Sequence, residues 1–381
     1  MTTGLQFLFW ISLAGLGYIF AGYPLVVWSC AKRKRRVAIK QSTPRSLSIV
    51  IVAHNEARTL PRKLASLLSC AKSEWIKEIL IGSDGSTDNM VAVVRAHTDS
   101  RVRVVEFPER RGKPAALNAL VPQCQGEFVL FADARQEFDV DCLERLLENF
   151  ANPLVGVVSG ELVLRSQPGE STAAQGIGFY WKYEKFIRKC ESGFRGVPGA
   201  TGACYVIRTK LFRPIPEQTI LDDVAIPMQA ITQGYQCLFE PQALIFDAPS
   251  QSPRQEAVRK RRTIAGAAQL VRLYPQWLWP ANNPLWLEFV SHKLLRLVSP
   301  LLLLSVMASN IALLPIPAYR VLFVLQLGFY GSALAGWFCQ RVGRRAICFG
   351  PPLMFLTLNL TTLLALWDAL RSRYRVTWQK V

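Results

Sequence analysis

Apolar residues are unevenly distributed: long uncharged runs at both ends enclose a middle in which short apolar runs alternate with longer stretches of mixed polarity. From about Arg45 to Leu285, "SLSIVIVA", "EILIGS", "RVRVVEF" and "EFVLFAD" are continuous apolar runs, the pattern of strands covered on both faces. Between them "TLPRKLASLLSC", "STDNMVAVVRAH" and "KPAALNALVPQC" carry apolar residues at helical spacing. Strand, helix, strand in series predicts right-handed crossovers and an α/β domain with a mostly parallel sheet. Ligands of such sheets bind beyond the carboxyl ends of the strands.

The two ends predict membrane helices. Residues 4–31 hold no charge and exceed the ~20 residues that a bilayer crossing needs. "KRKRR" follows at once, the reverse of a cleavable signal, whose basic residues precede a shorter apolar core. The run is therefore a retained anchor, with the N-terminus facing out and the chain from Lys32 onward facing the cytoplasm. Three further runs, Leu294 to Ile316, Tyr319 to Phe338 and Ile347 to Trp367, make residues 294–370 a C-terminal transmembrane region. Arg341, Arg344 and Arg345 suit a cytoplasmic loop, but a full crossing by the last run carries Arg371, Arg373, Arg375 and Lys380 outside, against the charge rule. Either the rule fails there, or the last run, broken by Gly350, Pro351 and Pro352, is re-entrant. Residues 264–293, with three Trp around Pro280, predict an amphipathic region lying in the interface, a core helix being the alternative.

Composition narrows the partners. The mean hydropathy of +0.19 agrees with membrane helices around a polar domain. A net charge of +18 admits nucleic acid, anionic lipid or a phosphorylated substrate. No zinc spacing, RNP-like box or base-reading basic helix supports nucleic acid. The basic clusters beside the apolar runs are explained by membrane lipid headgroups. Nine Cys without a C-x-x-C spacing, many in apolar runs, predict reduced, buried thiols.

The strand ends carry the candidate chemistry. The first strand runs into His54, Asn55 and Glu56, the second into Ser83 to Ser86, the third leads to "RRGKPAALN", and the fourth ends at Asp133. Singly, each has a structural reading: Ser86 or Thr87 can N-cap the next helix, and Asp84 suits a turn. Together, four strand ends place acids, amides and Lys113 on one rim.

In order and spacing, "VIVAHNEA", "GSDGSTDN", "RRGKPAALN", "FADA", "TGACYVIR", "LDDVAIPMQAITQGY" and "RKRRT" resemble the inverting family 2 glycosyltransferases of the GT-A fold. The resemblance is to the membrane-embedded branch of cellulose, hyaluronan and poly-N-acetylglucosamine synthases, and covers Ser46 to Thr263. It implies an α/β GT-A (Rossmann-like) domain at residues 45–263, cytoplasmic, in an integral protein of a bacterial inner or plasma membrane, using a nucleotide sugar, UDP-linked. By the same resemblance Asp84 contacts the uridine, with Asn55 and Glu56 nearby, and Lys113 lies by the donor. Amides and carboxylates suit base and ribose, and cations suit a diphosphate. The plainer reading of Lys113 is a solvated residue of a helix's first turn.

Asp133 matches the first acid of the family's D-x-D motif, which implies a divalent cation, Mg²⁺ or Mn²⁺, but Arg135 stands where the second acid is expected. A guanidinium gives no oxygen to a hard cation. Either Asp133 holds the metal with other groups, or Arg135 neutralises the diphosphate itself, or Arg135 pairs with an acid such as Glu137. Asp223 aligns with the catalytic base and Asp222 with the acid before it; adjacent carboxylates repel, which raises one pKa toward neutrality. The alternative is that Asp222 caps the helix "VAIPMQAITQ", with Asp223 in its first turn. Arg259 and Arg262 fall on the Q-x-x-R-W of processive synthases, with Arg for Gln and Thr263 for Trp. Arg262 keeps the cation for the leaving diphosphate, whereas the missing Trp removes part of the acceptor surface of long-chain synthases. Two acceptors stay open: a growing saccharide chain, or a membrane lipid that receives a single sugar.

Overall fold

The computed structural model describes residues 2–34, 39–165, 172–248, 253–342 and 347–371. Eight strands form one sheet: β1 Leu47–Ala53, β2 Ile76–Asp84, β3 Val102–Phe107, β4 Phe128–Ala132, β5 Glu137–Phe138, β6 Val155–Leu164, β7 Cys204–Arg208 and β8 Gln236–Asp247. Their order is β3-β2-β1-β4-β7-β6-β8-β5. The half β3-β2-β1-β4 is parallel throughout, as the sequence predicts. Beyond it the sheet is mixed: β7 is antiparallel to β4 and β6, β8 is parallel to β6, and β5 is antiparallel to β8.

Register brings the candidate residues to one edge. Ala53 lies opposite Ser83, Asp84 opposite Phe107, and Ile51 opposite Ala132, so the first four strands end together. An antiparallel strand starts where its neighbour stops. β7 therefore begins at this edge, with Cys204 opposite Ala132, and brings residues 199–203 to the rim.

The helices of the soluble part are α2 Leu60–Leu68, α3 Met90–Arg95, α4 Lys113–Leu120, α5 Cys142–Leu147, α6 Thr172–Phe194, α7 Asp222–Thr232 and α8 Pro253–Leu273. Side-chain alternation along β1 covers both faces. Leu47, Ile49 and Ile51 join Leu60, Leu64 and Leu67 of α2, while Val50 and Val52 join Ala116, Leu117 and Leu120 of α4. All nine cysteines are free. Trp277 departs from the interfacial expectation: it is 2% exposed, stacks on Tyr274 at 4.0 Å and packs in the core beside α7. Trp279, two residues on, is 66% exposed.

Among the described residues, four helices are long and apolar enough to cross a membrane: α1 Thr2–Arg33, α9 Trp286–Ala312, α10 Pro317–Arg341 and α11 Gly350–Leu370. Large apolar side chains such as Phe7, Ile11, Leu304, Val324 and Leu325 point outward along them, as surfaces facing lipid do. α1 and α9 join the sheet domain through a buried polar knot on α6. His292 lies 2.8 Å from Glu184 and 2.8 Å from Glu191, Arg296 pairs with Glu184 at 2.7 Å, and the Tyr23 hydroxyl donates to Glu191.

Trp277→Ala is expected to cost about 3–5 kcal/mol, the usual loss for a buried aromatic, and Trp279→Ala close to nothing. Melting of the detergent-purified variants checks this, with a clear fall for the first alone.

Candidate active site

The rim is built by short polar links between strand ends. Asn55 sits at φ +57°, a left-handed conformation that asparagine tolerates. Its side-chain oxygen accepts from the backbone N–H of Thr87 at 2.8 Å and of Asp88 at 3.2 Å, joining the end of β1 to the loop after β2. Asp88, not Ser86 or Thr87, serves the start of α3: its carboxylate accepts from Met90 N at 3.2 Å and Ala57 N at 3.0 Å. Asp84 is fully buried, and its carboxylate accepts from Arg111 N at 2.8 Å and Gly112 N at 3.0 Å. It thereby holds the "RRGK" loop against β2. Glu56, also buried, accepts from the Thr59 hydroxyl at 2.5 Å at the start of α2.

Lys113 links the two halves of the site. Its ammonium lies 2.9 Å from Asp133 Oδ1 at the end of β4 and 3.2 Å from Asp222 Oδ2 at the start of α7. Burial alone would lower the Lys113 pKa, but Asp133 and Asp222 overcome it and hold the value above the usual lysine range. The plainer reading of Lys113 as a solvated helix residue is thus overturned. The same holds for Asp222 as a cap. Leu221 is the N-cap of α7, without a side-chain capping bond, and both aspartates occupy the first turn, where the helix dipole favours negative charge. Burial first, and then the Asp222 charge, push Asp223 up to about 6, against the lowering effect of Lys113 and of Lys293 on α9.

Residues 48–215 match the family described as Glycosyl transferase family 2. Over those residues the chain is similar to a family 2 glycosyltransferase domain. It is 27% identical over 205 residues to a poly-beta-1,6-N-acetyl-D-glucosamine synthase of Staphylococcus epidermidis, covering 52% of this chain and 49% of that protein. Against the synthase of the same name from Staphylococcus aureus the identity is 25% over the same length. The chain thus spans about half the length of the curated relatives it matches. Its fold is similar to that of a mannosyltransferase of Pyrobaculum calidifontis solved with GDP-Man and Mn²⁺. The TM-score is 0.71 at 22% identity, over 96% of this chain and 100% of that one.

Within the matched region, Arg135 turns away from the role its position suggests. It lies 3.3 Å from Asp247 at the end of β8, and Gln136 donates to the same carboxylate oxygen at 2.8 Å. Glu137, one partner the sequence left open for Arg135, is taken instead by Arg165 at 3.1 Å and Arg62 at 3.5 Å. Below this loop Lys63, 1% exposed and lowered by burial to about 8, donates to the Gln136 carbonyl at 3.0 Å. No group of three His, Cys, Asp or Glu side chains fit for a metal occurs among the described residues. That donor set still fits a cation carried by a diphosphate, because Mg²⁺ is commonly held by one or two carboxylates plus substrate phosphates, and Asp133 supplies one.

The matched family region ends before Asp222, Asp223, Arg259 and Arg262. The last two lie on α8, which packs on the segment leading to the acid pair. Gln269 accepts from Ile220 N at 2.9 Å and donates to Gln218 O at 2.7 Å. Two contributors were not foreseen. Arg188 of α6 donates to the Thr201 hydroxyl at 2.8 Å and the Ser159 hydroxyl at 2.9 Å, fixing the entry to β7. A Cβ on Gly202 in that entry would stand 3.0 Å from Asp223 Oδ2, so glycine keeps this carboxylate uncovered.

Gly85 tests the rim. It sits at φ +60°, and a Cβ there would come 2.6 Å from Arg110 N. Gly85→Ala is expected to push the "RRGK" loop off β2 and weaken UDP binding at least tenfold, roughly 1.4 kcal/mol, as isothermal titration of the purified protein will read.

Proposed function

We propose that the chain is a membrane-embedded inverting glycosyltransferase that moves a sugar from a UDP-linked donor to a growing polysaccharide, with its catalytic domain in the cytoplasm. The observation that carries this is the placement of Asp223, raised toward neutrality beside the Lys113 bridge to Asp133 and Asp222 on the rim where the strands end. The names of the curated relatives support the polysaccharide product.

In this mechanism Asp223 takes the proton of the acceptor hydroxyl as its oxygen attacks the anomeric carbon from the face opposite the leaving group. The bond from that carbon to the nucleoside diphosphate breaks, inverting the centre. Arg259 and Arg262 on α8 meet the negative charge that grows on the diphosphate. Asn55 and Asp84 act by holding the loops that frame the nucleotide. A divalent cation, Mg²⁺ or Mn²⁺, held by Asp133 and the donor phosphates, would supply further charge neutralisation there.

A second acceptor is favoured by one residue. Thr263 stands where long-chain synthases carry Trp, which suits transfer of one sugar to a membrane lipid. Membranes fed labelled UDP-sugars separate the two: polymer in the aqueous phase supports the first reading, and a solvent-extractable glycolipid with one sugar the second.

Asp223→Asn should abolish transfer with UDP binding retained. For the wild type, kcat/KM should fall tenfold per pH unit below about 6, as the base becomes protonated. Lys113 favours the charged form of Asp223, so Lys113→Gln should move that limb to higher pH as well as lower the rate. A pH–rate profile with no limb between 5 and 8 would remove Asp223 from the role.

EDTA should abolish transfer, and Mg²⁺ or Mn²⁺ should restore it. Full activity in EDTA, with no metal recovered alongside bound UDP, argues against the cation.

A further inference from the structure

By length and composition α11 can cross a bilayer as well as α1, α9 and α10 can, yet its contacts place it elsewhere. The other three helices share a near end and a far end. At the near end Tyr23 of α1 and His292 of α9 meet Glu191 of the catalytic part. At the far end Trp10 of α1 donates to the Tyr319 hydroxyl at the start of α10 at 3.0 Å, and Phe9 packs on the same ring. α10 therefore runs back toward the catalytic domain and finishes at Arg341 on the near side.

α11 starts beside that finish. A Cβ on Gly336 would lie 2.9 Å from the Phe349 carbonyl. A helix of 21 residues is about 30 Å long, so if α11 ran antiparallel to α10 its last turn would reach the far side. Its last turn instead meets the catalytic domain: Asp368 pairs with Arg261 of α8. Between the two ends, Phe355 packs on Phe20, less than a turn from Tyr23, and Asn359 accepts from the hydroxyl of Ser299, less than a turn from Arg296. Gly350, Pro351 and Pro352 do not break the helix but form its first turn, where proline is tolerated.

Resting on the membrane-embedded reading above, we propose that α11 does not cross the bilayer but lies along its cytoplasmic face as a clamp on α8, and that Asp368, through Arg261, positions the Arg259 and Arg262 flank of that helix. At ~100° per residue, Arg259 and Arg262 stand about 60° apart on α8, with Arg261 well round from both. Clamping the Arg261 flank therefore sets the rotation at which the other two face the donor. On its catalytic side α8 abuts the acid-pair segment, where a Cβ on Gly266 would come 2.6 Å from Leu221. The clamp also settles the charge pattern. Arg371, directly after α11, then lies on the cytoplasmic side, as the positive-inside rule requires, while Arg373, Arg375 and Lys380 lie outside the described residues.

Two measurements on the full chain test this. Green fluorescent protein fused after Val381 should fluoresce in cells, and alkaline phosphatase fused at the same place should be inactive. Active phosphatase on a chain that resists carbonate extraction from membranes overturns the inference alone; extraction by carbonate overturns the membrane reading and this one with it. For positioning, Asp368→Asn and Asp368→Arg should raise the KM for the UDP-sugar and weaken UDP inhibition about five-fold or more, the low end of coupling between linked sites, with a smaller change in kcat. The swap Arg261→Asp with Asp368→Arg should recover it. UDP affinity unchanged in Asp368→Asn, or a swap no better than the single variants, overturns the positioning role.

Discussion

The site depends on one largely buried ammonium. Lys113 sits between the carboxylates of Asp133 and Asp222, which come from the end of the parallel half of the sheet and from a helix that enters beside the mixed half. A buried charge is tolerable only when paired, so these elements must close on one another for the chain to fold around it. The same contact divides labour between the two aspartates. Asp222 is committed to Lys113, while Asp223, one residue on, faces the Gly202 entry to β7 and is the one raised toward neutrality.

The parallel half of the sheet was legible because its strands are continuous apolar runs separated by helical ones. The mixed half was less so. β6 and β8 pair over ten or more residues, but with shifts in register and with polar positions along them, so tertiary pairing rather than local pattern defines them. Position on the rim could be read for Asn55, Asp84, Lys113 and Asp133, since a strand end is a local feature. Role could not. Asp84 and Asn55 spend their oxygens on backbone N–H groups of neighbouring loops, and those partners are brought near only by register. Arg135 is the sharpest case: Asp247, its partner, lies 112 residues downstream and reaches it because β8 ends at the same edge.

The membrane helices show the same limit. Hydropathy marks apolar runs but says nothing of the polar residues inside them that fix their neighbours. Tyr23, His292 and Arg296 interrupt two such runs, and all three meet glutamates of α6. Isolated, each polar group would be costly at that depth; gathered, they satisfy one another and join the catalytic domain rigidly to two helices. Both π-helical turns, Tyr18–Gly22 and Phe289–Leu294, fall at this knot, as expected where a helix adjusts its register to aim side chains at a functional junction.

That junction bears on the chemistry. Asp223 feels Lys113 from the soluble domain and Lys293 from the first turns of α9, and both favour its charged form. Lys293 follows His292, whose two ring nitrogens are held by Glu184 and Glu191, so the knot that fixes α9 also fixes this cation. Glu184 lies one turn before Arg188, which anchors Thr201 next to Gly202 over Asp223. The protonation of Asp223 is therefore set jointly by the sheet rim and by a helix long and apolar enough to cross a membrane. On the function proposed above, an acceptor arriving from the bilayer side would meet a carboxylate whose readiness depends on the same contacts that hold the membrane helices in place.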